Sequence, residues 1–181
     1  SDGKICVMGL GYVGLTLAVT LADVGFDVYG IEIRDDVLEK LKNGEAHFYE
    51  PRLNEKLKKV IKKNRFHFYK HIPSEKEMDV FIITVGTPLG KDGKPRMDMI
   101  KHVTEEIAKN IKSGNLVIMR STLKLGITRN LVMPILEKTG KEFDLAFCPE
   151  RTLEGNAMQE LRYLPQIVGG VSEKSTIRAA Q

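Results

Sequence analysis

The sequence predicts an α/β fold with a doubly wound, mostly parallel sheet. Short apolar runs recur along the chain, and most of them are separated by segments with helical periodicity. The first of these runs leads directly into a glycine-rich turn, and an apolar helix follows it. Long apolar strands joined by helical crossovers are typical of parallel sheets that are covered on both faces. Such sheets bind ligands at the carboxyl ends of their strands, so functional motifs are expected directly after strands.

The first strand, turn and helix have the pattern of a dinucleotide-binding fingerprint. After the strand at residues 5–8, Gly9 permits a tight turn and Gly11 lets the backbone approach a pyrophosphate at the helix N-terminus. Gly14 lets the helix and the strand pack closely. The pattern predicts a Rossmann-type domain that binds NAD, although glycine-rich turns of this kind also occur as purely structural loops. The predicted cofactor contacts in this turn are Gly9, Gly11, Tyr12, Val13 and Gly14.

Glu32 follows the next apolar run at the distance expected of the acidic residue in this fingerprint. A carboxylate there is expected to bind the hydroxyls of the adenosine ribose and to repel a 2′-phosphate, which favours NAD over NADP. Arg34 lies two residues further on, where it could contact a phosphate or simply be solvated.

The remaining elements continue the alternation. The first helix is expected to end at Gly25, and the lysines of residues 56–63 are interpreted as the solvated face of an amphipathic helix. Another helix should follow Asp98 and end at Gly114. A further helix is expected after Thr128, and Pro134 should kink or delay it. Further strands are predicted at residues 66–69, 79–85, 116–119, 144–147 and 166–168.

Three polar segments come directly after predicted strands and are expected to form one rim. Thr87 and Pro88 end the first, and the loop at residues 89–97 is long enough to suggest a ligand cover. Ser121 and Thr122 begin the second segment, and the third contains Glu150 and Glu154. Each segment alone can also be explained as ordinary turn or helix-capping chemistry.

Composition excludes several classes of protein. The chain has 181 residues, is 42% hydrophobic and carries a formal net charge of +4, without an apolar run or leader pattern that indicates a membrane or secreted protein. We therefore expect a cytoplasmic protein that binds neither membrane nor nucleic acid. Two cysteines and four histidines show no metal-ligand spacing, so no metal is predicted. Cys6 and Cys148 are interpreted as small core residues rather than nucleophiles.

Motifs along nearly the whole chain resemble those of the UDP-glucose/GDP-mannose dehydrogenase family, the nucleotide-sugar 6-dehydrogenases. The resemblance implies oxidation of a sugar C6 hydroxyl to a carboxylate, with two NAD molecules reduced in succession and a cysteine thioester hydrolysed at the end. The motifs that carry it are GLGYVGL at 9–15, EPRLNEKL at 50–57, VGTP at 85–88, STLKLGIT at 121–128 and PERTLEG at 149–155.

The resemblance also implies roles for particular residues. Glu32 takes the place of an acidic residue that is more often aspartate in the family. Thr87 and Pro88 correspond to a pair that lines the cofactor, and Thr122, after Ser121, to a threonine that positions a catalytic water. Glu150 corresponds to the general base of thioester hydrolysis, and Glu154 to a second glutamate that contacts cofactor or substrate.

The sugar is indicated by residues 149–170. Arg151, the pair Glu160-Leu161 and the glycines at 169–170 resemble family members that oxidise UDP-N-acetylhexosamines, UDP-N-acetyl-D-mannosamine above all. Glu154 resembles the UDP-glucose enzymes, which are the alternative. A stand-alone NAD-binding sensor is a second alternative, but a sensor would not need the rim motifs.

The resemblance assigns residues 1–181 to a single NAD-binding domain. The family's catalytic cysteine, lysine and asparagine lie in a central helical region and a UDP-binding domain that have no counterpart in these residues. The helix expected to start at Ser172 shows no stop signal before Gln181, which predicts a fragment that is inactive by itself. The family also implies that the full-length protein is a homodimer.

Overall fold

A computed structural model describes residues 3–120 and 125–148. In this part of the chain, strands and helices mostly alternate, with two helices in succession before the third strand and no helix between the third and fourth strands. The strands are β1 Lys4–Met8, β2 Asp27–Ile31, β3 Phe66–Tyr69, β4 Val80–Ile83, β5 Asn115–Met119 and β6 Phe143–Phe147. The helices are α1 Tyr12–Asp23, α2 Asp35–Lys42, α3 Leu53–Lys62, α4 Asp98–Asn110 and α5 Leu125–Glu137. The strand predicted at 166–168 and the helix predicted from Ser172 lie outside the described residues.

Within the described residues the six strands form one sheet in the order β3-β2-β1-β4-β5-β6, and each neighbouring pair is parallel. This confirms the predicted doubly wound fold. The strand order reverses between β1 and β4, and Met8 at the end of β1 is paired with both Ile31 of β2 and Ile83 of β4. The carboxyl ends of these strands therefore meet at the switch point, where open sheets of this type bind ligands.

Alternation along β1 divides the core between the two faces of the sheet. Ile5 and Val7 pack in the cluster that contains α1 and α3, whereas Cys6 and Met8 pack in the cluster that contains α4 and α5. Because both faces are covered, the central strands are apolar throughout, and all four residues of β4 are buried. Helix α1 is buried along most of its length for the same reason.

Helix α5 corrects one expectation. Pro134 does not delay the helix, which begins at Leu125, three residues before Thr128, and contains Pro134 in its interior. Proline cannot donate the backbone hydrogen bond to residue 130. The fully buried side chains of Val132 and Leu136 offset that loss by packing against the sheet.

Two further expectations hold. The chain leaves α1 through Gly25, which has φ +109°, and α3 buries Leu53, Leu57 and Val60 and carries its lysines on its outer side. No helix in the described ranges has the length and apolarity needed to cross a bilayer.

Candidate functional site

A cavity of about 500 Å³ opens at the switch point. Its walls are the carboxyl ends of β1, β2 and β4, one side of α4, and His71 after β3. Most of the lining is apolar, with a few polar groups, as in typical cofactor pockets of this size. The residues of the predicted site that line this cavity are Gly9, Gly11, Glu32 and Pro88.

The turn between β1 and α1 depends on glycine at two positions. Gly9 has φ +101°, and a Cβ there would lie 2.7 Å from Val85 Cγ1. A Cβ at Gly14 would lie 1.8 Å from the Gly9 carbonyl oxygen and 2.7 Å from the Thr84 hydroxyl. Gly14 thus permits the close approach of helix and strand that the fingerprint predicts.

Gly11 differs from these two glycines because its missing side chain faces open space. A Cβ built at Gly11 has no heavy atom within 4 Å, and Gly11 lines the cavity. Helix α1 begins there without a side-chain cap and without an acidic residue in its first turn. The dipole of α1 favours negative charge at this end, so an anionic ligand suits the position.

Thr84, directly after β4, contacts the turn between β1 and α1 and was not predicted as a site residue. Its hydroxyl lies 2.9 Å from the Met8 carbonyl oxygen and 2.7 Å from the Gly9 carbonyl oxygen, within donor distance of both. It also lines the cavity. A threonine at the end of a buried strand gives no sequence signal of this role.

Glu32 is half-buried at the end of β2, and two backbone amides fix its orientation. Its Oε1 accepts a hydrogen bond from Leu10 N (3.1 Å), and its Oε2 accepts one from Arg34 N (3.0 Å). The Arg34 side chain instead pairs with Asp36 at 2.7 Å, with both side chains largely exposed. The guanidinium is thus exposed and paired with Asp36, and Arg34 also lines the cavity.

Tyr12 and Val13 lie in the first turn of α1 and do not line the cavity. The Tyr12 hydroxyl donates to Glu50 Oε2 at 2.8 Å, and its ring lies 5.0 Å from that of Phe48. Glu50 is buried, with 5% relative exposure. This pair ties the EPRLNEKL motif to the fingerprint helix, a contact that neither motif reveals alone.

His47 lies next to that contact. Its Nδ1 is buried and has no hydrogen-bond partner among the residues that the structure describes. Burial lowers the pKa of His47, and the nearby negative charge of Glu32 opposes that change. Burial therefore favours the neutral form of the ring.

The loop at residues 89–97 forms a compact hydrogen-bonded turn beside Pro88. Gly90 N donates to the Lys94 carbonyl and Arg96 N donates to the Pro88 carbonyl, both at 2.8 Å. Leu89 is 70% exposed. The role of this loop as a ligand cover stays a prediction. Thr87 is half-buried next to Pro88 and does not line the cavity.

A second polar group in the cavity was also missed by sequence reasoning. His71 Nδ1 lies 3.0 Å from Glu106 Oε1, which also accepts from Ile72 N at 3.4 Å. His102 lies one turn before Glu106 on α4 and lines the same cavity. Isolated His and Glu residues 35 positions apart in the sequence carry no motif, so only the fold brings this pair together.

The two cysteines have different surroundings. Cys6 is fully buried in β1, where burial raises the pKa of its thiol well above the usual value and the charge of Glu106 raises it further. This argues against a nucleophilic Cys6. Cys148 follows β6, and Arg120 Nη1 lies 3.6 Å from its sulfur.

Comparison with known proteins identifies the family. The family model described as "UDP-glucose/GDP-mannose dehydrogenase family, NAD binding domain" matches residues 3–181. The chain belongs to this family. A UDP-N-acetyl-D-mannosamine dehydrogenase from Pyrococcus horikoshii is 36% identical over 176 residues, which are 95% of this chain and 42% of that protein. The chain thus spans about two fifths of the length of the curated relatives it matches.

Solved structures agree with this assignment. A UDP-N-acetyl-mannosamine dehydrogenase from Staphylococcus aureus has a TM-score of 0.80 and 32% identity, covering 87% of this chain and 38% of that chain. A GDP-mannose dehydrogenase from Pseudomonas aeruginosa has a TM-score of 0.82 and 25% identity, covering 97% of this chain and 46% of that chain.

NAD, the cofactor of the family's matching domain, fits the cavity on three counts. The Cβ position of Gly11 is open, the first turn of α1 is uncapped, and Glu32 is held at the end of β2. A pyrophosphate and a ribose need these three features. The remaining predicted residues, Ser121, Thr122, Glu150 and Glu154, lie outside the described residues.

Proposed function

We propose that the whole protein is an NAD-dependent dehydrogenase that oxidises the C6 hydroxyl of a UDP-N-acetylhexosamine to a carboxylate, with UDP-N-acetyl-D-mannosamine as the preferred sugar. The proposal has two parts, the cofactor and the sugar. The cofactor part rests on the Glu32 carboxylate, which two backbone amides hold beside the open Gly11 turn. The sugar part is supported by Arg151, by the Glu160-Leu161 pair and by the chain-long match to enzymes of that name.

On this proposal the described residues bind and orient the cofactor. The N–H groups at the start of α1 bind the pyrophosphate, and Glu32 accepts hydrogen bonds from the ribose. Thr87 and Pro88 contact the cofactor on the β4 side. When bound, NAD supplies the chemistry by accepting hydride from the sugar C6.

The hydrolytic residues are proposed on the loops that follow β5 and β6. Met119 and Phe147 are register partners at the ends of these strands, so both loops start at the same edge of the sheet as Gly11. Ser121 and Thr122 position a water, Glu150 acts as general base toward the thioester, and Glu154 contacts cofactor or substrate. In this scheme the covalent nucleophile is a cysteine in the remainder of the protein.

Calorimetric titration of the 181-residue chain with NAD and with NADP tests the cofactor part. A 2′-phosphate beside Glu32 brings two negative groups together, so we expect NAD to bind at least about tenfold more tightly. Equal or tighter binding of NADP would refute the assignment of Glu32.

Steady-state kinetics of the whole protein test the sugar part. We expect kcat/KM to be higher with UDP-N-acetyl-D-mannosamine than with UDP-glucose. The opposite ranking would make the protein a UDP-glucose dehydrogenase and would mean that Arg151 was misread. Cytoplasmic location and a homodimeric assembly are further predictions of this proposal.

A further inference from the structure

The strand order places three groups in succession along the carboxyl edge of the sheet. The Gly11 turn follows β1, Glu32 ends β2, and His71 comes just after β3, in the order β1, β2, β3 across the sheet. If the turn binds the pyrophosphate and Glu32 binds the ribose, the next group of a dinucleotide is its adenine base. The base then reaches the part of the cavity that contains His71 and, bonded to it, Glu106.

This part of the cavity suits a flat base with a polar edge. Ile33, Met99 and Val103 provide apolar surface, and the Glu106 side chain is only 19% exposed. Both hydrogen bonds that Glu106 accepts, from His71 Nδ1 and from Ile72 N, end on Oε1. Among the described residues, Oε2 accepts none. Because an ionised carboxylate only accepts hydrogen bonds, Nδ1 of His71 carries the hydrogen of this bond. The bond orients the Glu106 carboxylate.

We propose that Glu106, held in place by His71, recognises the exocyclic amine of the cofactor's adenine through Oε2 and thereby determines base specificity. The inference rests on the proposed cofactor function and deepens it. Adenine carries a donor at position 6, whereas hypoxanthine carries a carbonyl acceptor there. A carboxylate oxygen attracts the first and repels the second. Of the other charged residues that line the cavity, Glu32 accepts from Leu10 N and Arg34 N, and Arg34 pairs with Asp36.

The test is calorimetric titration of the 181-residue chain with NAD and with nicotinamide hypoxanthine dinucleotide, whose base carries a carbonyl at position 6 and a hydrogen on N1, where adenine has the amine and a bare N1. An oxygen placed to accept from the amine faces the carbonyl in this analogue. A hydrogen bond to a charged acceptor corresponds to about 10- to 100-fold in affinity, so the wild-type chain should prefer NAD by that factor. The readout is a ratio of dissociation constants and needs no turnover.

Glu106→Gln should abolish or invert the preference. His71 Nδ1 and Ile72 N both donate, so the glutamine places its carbonyl at the Oε1 position and leaves its amide donor for the base. An amide donor pairs with the hypoxanthine carbonyl and not with the adenine amine. The matched control is Glu105→Gln, because Glu105 is exposed, pairs with Lys101 and does not line the cavity. This variant should keep the wild-type ratio.

The outcomes separate the two proposals. Failure of the wild-type chain to bind NAD at all would refute the cofactor function. Tight NAD binding with no preference over the hypoxanthine analogue, or a wild-type ratio in a folded Glu106→Gln variant, would overturn the role of Glu106. Loss of the preference in His102→Ala but not in Glu106→Gln would overturn it as well. If circular dichroism shows that Glu106→Gln is unfolded, Glu106→Asp replaces it, and the retracted carboxylate should lower the ratio toward one.

Discussion

Gly14→Ala should destabilise the domain severely, and the magnitude follows from the contact geometry. The added methyl would lie 1.8 Å from the Gly9 carbonyl oxygen and 2.9 Å from the Gly9 carbonyl carbon, which are backbone atoms of the turn. Backbone atoms there cannot rotate away as a flexible side chain can, and Thr84 also holds the Gly9 carbonyl. Overpacking usually costs 1–3 kcal/mol, and a contact this short should cost at least about 3 kcal/mol.

Thermal unfolding followed by circular dichroism measures this effect. For a domain of this size, about 3 kcal/mol lowers Tm by roughly 6–12 °C. The matched comparison is Gly11→Ala, because Gly11 has φ −74° and its added methyl meets no atom within 4 Å. That variant should unfold within about 2 °C of the wild type. It should still lose about tenfold or more in NAD affinity, since the methyl occupies the space of the pyrophosphate.

The pair of variants gives a clear refutation. If Gly14→Ala melts within about 2 °C of the wild type, α1 can shift away from β1, and the turn is not the rigid unit described above. If Gly11→Ala binds NAD as tightly as the wild type, the pyrophosphate does not approach the backbone at Gly11. Each result would contradict a different step, because stability and binding are read separately.

Three further predictions concern individual side chains. Glu32→Gln should narrow the preference for NAD over NADP in calorimetry and lower the free energy of unfolding by about 1–2 kcal/mol, since one of the two donating amides would face an NH₂ group. An unchanged ratio of the NAD and NADP dissociation constants would exclude Glu32 from cofactor selection. Asn115→Ala should lower the free energy of unfolding, measured by chemical denaturation, by about 2–3 kcal/mol, because the Met78 carbonyl and the Lys112 amide both lose a hydrogen bond of 2.7 Å. A loss below about 0.5 kcal/mol would mean that water replaces both bonds. In the whole protein, Glu150→Gln should give a rapid burst of NADH, leave the sugar covalently bound in intact-protein mass spectra and lower the steady-state turnover about 10²–10⁴-fold. Near-normal turnover, or the absence of both burst and adduct, would refute the role of Glu150 as general base.

The fold was predictable because its determinants are local. Apolar runs beyond residue 60 predicted five strands, and the four predictions that fall in the described part of the chain correspond to β3, β4, β5 and β6. The glycine fingerprint set the positions of β1 and α1 for the same reason. The start of helix α5 was predicted too late, because the helix begins at Leu125 and includes Pro134. Burial of Val132 and Leu136 depends on packing that a local rule does not include.

Residues of the cofactor site could be predicted only where they belong to a sequence motif. Glu32 was found by its spacing from the glycines, but its two amide partners depend on the folded turn. Thr84, the Tyr12–Glu50 pair and the His71–Glu106 pair were missed because each joins segments far apart in the sequence. Such contacts follow from strand order, which places residues side by side irrespective of their separation along the chain.

On the two proposals above, two carboxylates share the recognition of the cofactor, Glu32 at the ribose and Glu106 at the base. Oε1 of Glu32 accepts from Leu10 N in the turn between β1 and α1, and Oε2 accepts from Arg34 N after β2, so backbone amides orient both oxygens. Glu106 instead concentrates both of its bonds on Oε1, which leaves Oε2 without a partner in the described part of the chain. When one carboxylate oxygen already accepts two hydrogen bonds and the other accepts none, the second oxygen can accept from a donor on a ligand and repels an acceptor there. On these proposals, Glu32 after β2 selects the ribose and Glu106 on α4 selects the base, so substitutions at the two positions should act independently on the NADP and hypoxanthine preferences.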